Sequence, residues 1–267
     1  MNQHPARSRS QDGPAGHPSA RLGANMISVA SGKGGVGKTW FAITLAHTMR
    51  RAGRKVLLFD GDLGLANVDI QLGLSPARDL SEALTGQASF REVVTQDPAT
   101  GVDVVAGRSG TARLADAGAA QLDMLRRGLT LVGDTYDSVI LDLGAGVDRA
   151  VRTLAANAGP LLVVTNEEPT AITDAYALIK LIHGADAGAD IRVVINLASN
   201  QRDGERTYEK LRTACENFLG FAPSLAGIVR RDSRVPDAIR RQTPLLKRHP
   251  TSLAGEDVER IARGLTG

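Results

Sequence analysis

The sequence predicts an α/β fold, with a single doubly wound, mostly parallel sheet and helices on both faces. Two observations support this prediction. After Met26, short apolar runs of strand length alternate with longer amphipathic stretches of helical length. The apolar runs are continuous rather than alternating, which is typical of parallel strands buried on both faces. No linker composition and no internal repeat interrupts the pattern, so we expect one domain over residues 26–267.

The elements can be assigned in order along the chain. Six apolar runs predict strands: Met26 to Ala30, Val56 to Phe59, Val102 to Val105, Val139 to Leu141, Leu161 to Val164 and Ile191 to Ile195. Four stretches between them have helical length and spacing: Thr39 to Arg51, Ala119 to Val132, Thr170 to Leu181 and Arg206 to Phe218.

A C-terminal helix follows these elements. Its predicted apolar face carries Leu253, Val258, Ile261, Ala262 and Leu265, and its polar face carries Glu256, Asp257, Glu259, Arg260 and Arg263. A helix that lies on anionic lipid has a basic polar face, whereas this face is of mixed charge. We therefore expect the helix to dock on its own sheet.

Composition limits the class of protein. With 42% hydrophobic residues the chain has enough apolar material for a substantial core, while only 3% aromatic residues argues against modules that stack RNA bases. The single cysteine, Cys215, cannot form an internal disulfide or a cysteine-held zinc or iron–sulfur site. No apolar run approaches the roughly 18 residues of a membrane span, and no signal core is present. These features predict a cytoplasmic protein.

Charge is unevenly distributed. Residues 1–25 are rich in Pro, Gly, Ser, His and Arg, and predict a disordered leader. Residues 230–248 carry seven basic and two acidic side chains, a local charge of +5 within a chain of net charge +3. This basic segment is either a solvated helix face with a nucleotide loop or a surface that binds DNA non-specifically.

A phosphate-binding loop follows the first strand. Gly32, Lys33, Gly34, Gly35, Val36, Gly37, Lys38 and Thr39 match the pattern GxxxxGK[ST] and lead directly into a helix. Glycines allow successive backbone N–H groups to converge on phosphate oxygens, and the helix N-terminus adds its positive dipole end. We expect Lys38 to reach the β- and γ-phosphates and the Thr39 hydroxyl to bind Mg²⁺. The alternative is a glycine turn with incidental lysines.

Three aspartates follow predicted strands near this loop. Asp60 and Asp62 end the second strand, and Asp142 ends the fourth. Carboxylates at the carboxyl ends of parallel strands can hold Mg²⁺ or orient a water molecule. Asp142 is in the position that holds Mg²⁺ through water in phosphate-loop proteins. Considered alone, each of these aspartates could instead be a helix cap or a turn residue.

The segment from Lys33 to Thr39, KGGVGKT, resembles the deviant loop of the MinD/ParA class of dimeric ATPases. The resemblance implies that Lys33 crosses an ATP-dependent homodimer interface to the partner's phosphates. It also implies that Asp62 positions the attacking water, that Asp60 supports the metal, and that residues 144–146 sense the γ-phosphate. Trp40 follows the loop and joins the nucleotide-contacting positions. Asn196 and Arg230 fall where the class contacts the adenine, whereas for Asn166 we favour a loop role.

Within this class the sequence is most similar to the FlhG/FleN group, which sets flagellar number and position. The stretches that carry this resemblance are residues 62–69 with 72–74, residues 168–180, and residues 238–244. It implies an ATP hydrolase whose dimer binds a flagellar transcriptional activator or an assembly factor, in the cytoplasm or peripherally at the pole or inner membrane. Two alternatives stay open. One is positioning of chromosome or other cargo on DNA, and the other is a nucleotide-holding scaffold with little turnover.

Overall fold

The protein is built around one eight-stranded sheet. The computed structural model describes residues 23, 25–62, 66–107, 118–155 and 159–266. The strand order is β3-β4-β2-β5-β1-β6-β7-β8, and every neighbouring pair is parallel except β3 with β4. The strands are β1 Met26–Ser31, β2 Val56–Gly61, β3 Val94–Gln96, β4 Asp103–Val105, β5 Ser138–Ala145, β6 Leu161–Thr165, β7 Ile191–Ala198 and β8 Ser224–Arg230. The predicted fold class is confirmed.

Helices cover both faces of this sheet. They are α1 Lys38–Arg51, α2 Val68–Leu72, α3 Leu80–Leu84, α4 Ala119–Gly133, α5 Arg149–Ala155, α6 Pro169–Ala185, α7 Gln201–Leu219, α8 Arg234–Arg240, α9 Leu245–Arg248 and α10 Leu253–Thr266. Successive strand residues point to opposite faces, so Met26 and Ala30 belong to one buried cluster and Ile27 and Val29 to the other. The helices that contribute to the first cluster are α3 to α7, and those that contribute most to the second are α1, α2 and α8 to α10.

All six predicted strands and all four predicted internal helices are present, whereas two strands were not predicted. Strand β3 has only three residues, and its pattern of exposure is mixed. Strand β8 is interrupted by Gly227, where an added Cβ would lie 2.5 Å from Ile261 Cγ1, so α10 packs directly on the strand backbone. That close approach removes the continuous apolar run that identifies the other strands.

The C-terminal helix docks on its own sheet, as predicted. Two of its residues, however, have the opposite burial to the one predicted. Asp257 was placed on the polar face and is only 1% exposed, whereas Leu253 was placed on the apolar face and is 45% exposed. Asp257 is buried because Arg230 reaches it from β8 and neutralises the carboxylate. Among the residues described, no helix combines the length and the apolarity needed to cross a bilayer. The predicted leader, apart from Gly23 and Asn25, lies outside the described residues.

Candidate functional site

The glycine-rich loop joins β1 to α1 at the carboxyl edge of the sheet. Gly35 and Gly37 both have φ of +84°, a left-handed conformation that favours glycine. A Cβ added at Gly37 would lie 2.4 Å from Asn196 Nδ2, whereas one added at Gly34 or Gly35 would meet nothing within 4 Å. The underside of the loop is therefore packed and its crest is open, so its N–H groups can approach a phosphate.

Lys38 begins α1 and pairs with Asp142. Its Nζ donates to Asp142 Oδ1 at 2.6 Å, and the two side chains are only 7% and 1% exposed. The second carboxylate oxygen of Asp142 is also buried, and it has no hydrogen-bond partner within the part of the chain that the structure describes. A buried, unsatisfied carboxylate oxygen is rare in proteins, and it is available here to a further ligand.

Asp60 lies beside Asp142 on the neighbouring strand, where the two residues are register partners. Asp60 Oδ1 accepts the N–H of Asp62 at 3.1 Å, and Asp60 Oδ2 accepts those of Asn67 and Val68, each at 3.1 Å. Burial and then the negative charge of Asp142 raise the pKa of Asp60 to about 7, against the lowering effect of these hydrogen bonds and of Lys38.

These groups fit a magnesium ion that is shared with a nucleotide. Two buried carboxylates face one lysine, and the half-buried Thr39 begins the same helix. Oxygen donors of this kind suit Mg²⁺, which usually takes one or two protein ligands and completes its shell with water and phosphate oxygens. Within the described ranges, no group of three or more His, Cys, Asp or Glu residues could hold a metal by itself. Asp142 and Thr39 would hold the ion, which would neutralise charge on the phosphates.

Asp62 lies close to the segment that was predicted to sense the γ-phosphate. The Asp62 carboxyl carbon is 3.7 Å from the position of a Cβ added at Gly144. Two residues later, the Gly146 N–H donates to the Ser31 carbonyl at 2.9 Å, which ties this segment to the start of the phosphate loop. The structure thus brings the ends of β1, β2 and β5 together. Residues 63–65, which belong to the first stretch of the resemblance, lie outside the described residues.

Lys33 lies on the outer side of the loop, and its side chain is held within its own subunit. Its Nζ donates to Glu168 Oε2 and to Thr170 Oγ1, both at 2.8 Å. Any side chain at position 32 would clash with α6, because a Cβ added to Gly32 would lie 2.2 Å from the backbone of Asp174. The first half of the loop therefore rests against the start of α6.

The side chains at three of the predicted nucleotide contacts are buried. The Val36 and Trp40 side chains are 2% and 5% exposed and belong to the buried cluster around α1, so a nucleotide contact at these two positions would use backbone groups. Asn196 is 1% exposed and its Nδ2 donates to the Val36 carbonyl at 2.8 Å. An irregularity in β7 next to Leu197, which has φ of +57°, accompanies this inward orientation. Asn196 thus braces the loop from beneath, and its contact with adenine stays a prediction.

Arg230, the last residue of β8, also has a partner within the chain. Its Nε donates to Asp257 Oδ2 and its Nη2 to Asp257 Oδ1, both at 2.8 Å, while its backbone N–H donates to Oδ2 at 2.9 Å. The pair fixes the start of the 230–234 loop to α10. A role in adenine binding stays a prediction for Arg230, and nothing in the single sequence distinguished Asp257 from a surface acid.

The arrangement as a whole can bind a polyphosphate. It offers an open crest of N–H groups, a lysine at the helix start, a hydroxyl and a carboxylate for a divalent cation, and a further carboxylate beside them. It lies outside the carboxyl ends of parallel strands, which is the usual ligand position in doubly wound sheets. The chemistry that this set of groups favours is phosphoryl transfer to water.

Comparison with known proteins also indicates a nucleotide-binding protein. Residues 27–245 match the family model described as the CobQ/CobB/MinD/ParA nucleotide binding domain. The chain is 35% identical over 238 residues to the antiactivator FleN of Pseudomonas aeruginosa, covering 89% of this chain and 85% of that protein. It is 30% identical over 241 residues to the flagellum site-determining protein YlxH of Helicobacter pylori, covering 88% of this chain and 80% of that protein.

Two solved structures share the fold. The MinC:MinD cell division protein complex of Aquifex aeolicus has a chain that superposes with a TM-score of 0.74 at 24% identity, covering 91% of this chain and 96% of that one. The septum site-determining protein MinD of Pyrococcus horikoshii, solved with Mg-ADP, superposes with a TM-score of 0.72 at 22% identity, covering 90% and 95%.

Proposed function

The chain belongs to the CobQ/CobB/MinD/ParA family of nucleotide-binding proteins, and on this premise we propose that it is an ATP-hydrolysing switch that dimerises with ATP and controls flagella. The output would be flagellar number, flagellar placement or flagellar gene expression. The observation that carries the proposal is the buried Lys38–Asp142 pair beneath an open glycine loop, in a chain whose relatives include an antiactivator and a flagellum site-determining protein.

Nucleotide binding and hydrolysis would divide among the residues of the loop and the strand ends. The backbone from Gly32 to Thr39 would hold the phosphates, with Lys38 on the β- and γ-phosphates. Thr39 and Asp142 would hold Mg²⁺. Asp62 would orient the attacking water, and Asp60 would fix the segment that carries Asp62, because its carboxylate binds the backbone at Asp62, Asn67 and Val68.

Dimerisation would depend on Lys33. Two facing subunits would each bury a polyanionic nucleotide, and an added cation from the opposite subunit would offset charge that one subunit alone leaves unbalanced. Nucleotide binding and dimerisation are then thermodynamically linked, so each strengthens the other. The exposure of the Lys33 side chain, 37%, supports a residue that can reach a second molecule.

The partner would be a flagellar transcriptional activator or a flagellar assembly factor. The name of the Pseudomonas relative, an antiactivator, supports the first, and that of the Helicobacter relative, a site-determining protein, supports the second. The protein would act in the cytoplasm, with a peripheral position at the cell pole or the inner membrane when its partner is there.

Two other functions make different predictions. Positioning of cargo on DNA would use the basic segment, where Arg231, Arg234, Arg240, Arg241 and Lys247 are exposed while Arg230 and Arg248 pair with aspartates. Such binding would require ATP and would weaken steeply with salt. A scaffold that holds nucleotide without turnover would release no phosphate even in the presence of its partner.

The experiment that tests the proposal is a count of flagella per cell by electron microscopy. We compare the source bacterium with a strain lacking the gene and a strain carrying Lys38→Ala. Excess, missing or misplaced flagella in both strains would support the proposal. Normal flagella in both would refute flagellar control while leaving the nucleotide site in place.

A further inference from the structure

Lys33 is engaged by its own subunit through the stretch that begins α6. Its ammonium group donates to the Glu168 carboxylate and to the Thr170 hydroxyl, both at 2.8 Å. Lys33 in turn lowers the pKa of the Glu168 carboxyl, by hydrogen bonding first and by charge second. Two of the three N–H donors of the lysine are therefore committed within the chain.

Hydrogen bonds between nearby side chains and the backbone hold Lys33 and Glu168 in position. Asn166 Oδ1 accepts the Glu168 N–H at 3.0 Å, which turns the chain after β6. Glu168 is the N-cap residue of α6, yet its side chain makes no capping hydrogen bond, so its carboxylate is free to take Lys33. On the other side, Ser31 Oγ donates to the Lys33 carbonyl at 2.9 Å. The backbone on each side of the Lys33–Glu168 contact is thus held by a local hydrogen bond.

The close contact between the phosphate loop and α6 keeps Lys33 next to Glu168 and Thr170. Gly32 approaches the Asp174 backbone so closely that no larger residue fits between them, because its Cβ would lie 2.2 Å away. The loop and the first turns of α6 therefore behave as one unit. This also gives a physical role to residues 168–180, a stretch that otherwise has only the pattern of an amphipathic helix.

We propose that Glu168 and Thr170 form a latch that retains Lys33 in its own subunit and thereby raises the ATP concentration at which two copies associate. The proposal rests on the proposed function, since Lys33 must leave this contact to reach the phosphates of a second copy. Moving the ammonium group to the phosphates of a second copy breaks its hydrogen bonds to Glu168 and Thr170, so the two contacts compete.

The latch is weak enough to act as a reversible threshold. The Lys33 and Glu168 side chains are 37% and 60% exposed, so solvent and salt screen their attraction. Exposed ion pairs of this kind change an equilibrium by about two- to fivefold. The latch therefore shifts the concentration of ATP that is required without preventing dimerisation.

The test is a titration of the full-length protein with a non-hydrolysable ATP analogue and Mg²⁺, with dimer followed by sedimentation velocity. Glu168→Gln should lower the half-maximal analogue concentration by about two- to fivefold, and Thr170→Val should lower it by a smaller factor. Glu167→Gln is the matched control, because Glu167 carries the same charge next door but accepts from Ser199 instead of Lys33. The difference between wild type and Glu168→Gln should shrink at high salt.

Two failures can be told apart in this experiment. If wild type dimerises while Glu168→Gln needs as much analogue or more, the latch is refuted and the switch stands. If wild type stays monomeric at saturating analogue, the proposed function fails, and the latch fails with it. A second measurement follows the Glu168 carboxyl by carbon NMR. Its pKa should rise in Lys33→Met, because Lys33 is the main cause of the lowering, and an unchanged pKa would refute the contact itself.

Discussion

Replacing Asp60 with asparagine should remove a large part of the pH dependence of stability. Asp60 is fully buried beside Asp142, and its pKa is raised to about 7 from an ordinary value of 3.8. The folded protein therefore holds a proton on this carboxyl at pH values where the unfolded chain has already released it. Asparagine keeps the shape of the side chain but does not titrate.

The sign and the size follow from this difference. A raised pKa in the folded state means that the stabilisation is complete below pH 3.8 and is lost as the pH rises through about 7. The total is about 4 kcal/mol, of which more than half, about 3 kcal/mol, is lost between pH 5 and pH 8. His47 acts in the opposite sense, because burial first and Arg51 next lower its pKa to about 4. The His47 contribution is common to both proteins and cancels in their difference.

The assay is urea unfolding of wild type and Asp60→Asn from pH 5 to pH 8, in metal-free and nucleotide-free buffer. The advantage of wild type over the variant should shrink by about 3 kcal/mol across this range. A constant offset of about 1–3 kcal/mol is also expected, because an amide cannot accept all three backbone N–H groups, but it does not depend on pH. A difference that stays flat with pH would refute the charged environment assigned to Asp60.

Three further predictions concern the loop and the end of β8. Lys38→Met should abolish nucleotide binding and cost about 3–5 kcal/mol in urea unfolding at pH 8, because its partner carboxylate is left buried and unpaired. Gly37→Ala should weaken nucleotide binding at least tenfold by calorimetry, since φ is +84° and the new Cβ meets an asparagine amide; Gly34→Ala, at an open position, is the control. Arg230→Gln should cost about 2 kcal/mol in stability even without nucleotide, whereas Arg231→Gln should cost little.

Each of these has a contrary outcome. Stability of Lys38→Met equal to wild type would mean that the buried pair does not form. If Gly37→Ala and Gly34→Ala lose nucleotide affinity equally, then the open side of the loop matters as much for binding as the side packed against Asn196. A fully stable Arg230→Gln that binds nucleotide poorly would return Arg230 to the role in adenine binding that the sequence predicted.

The sequence predicted those features of the fold and the site that depend on residues close together in the chain. The phosphate loop, the aspartates that follow apolar runs and the six predicted strands all follow from local pattern, because continuous apolar runs and glycine spacing are properties of neighbouring residues. Strand β8 was missed because its backbone packs against α10 through Gly227, a contact between distant segments. Strand β3 was missed because none of its three residues is fully buried, whereas β4, which is equally short, ends in two buried valines.

The pairings within the site were harder to foresee. Asn196 and Arg230 were placed near the adenine by the resemblance alone, and their hydrogen-bond partners in the structure, the Val36 carbonyl and Asp257, are remote in sequence. Asp257 illustrates the reason. On a helical wheel it falls among charged residues, and only the arrival of Arg230 from β8 makes its burial favourable. Tertiary partners of this kind leave no trace in local periodicity.

The most direct test of the central claim is the mass of the protein in solution with saturating Mg·ATP, measured by sedimentation equilibrium. Asp62→Ala should hydrolyse ATP too slowly to reset and should run at about twice the monomer mass of 28.1 kDa, while Lys38→Ala should stay at the monomer mass. Both proteins should be monomers without nucleotide. An Asp62→Ala protein that binds ATP and remains monomeric would contradict the ATP-driven dimer on which the account depends.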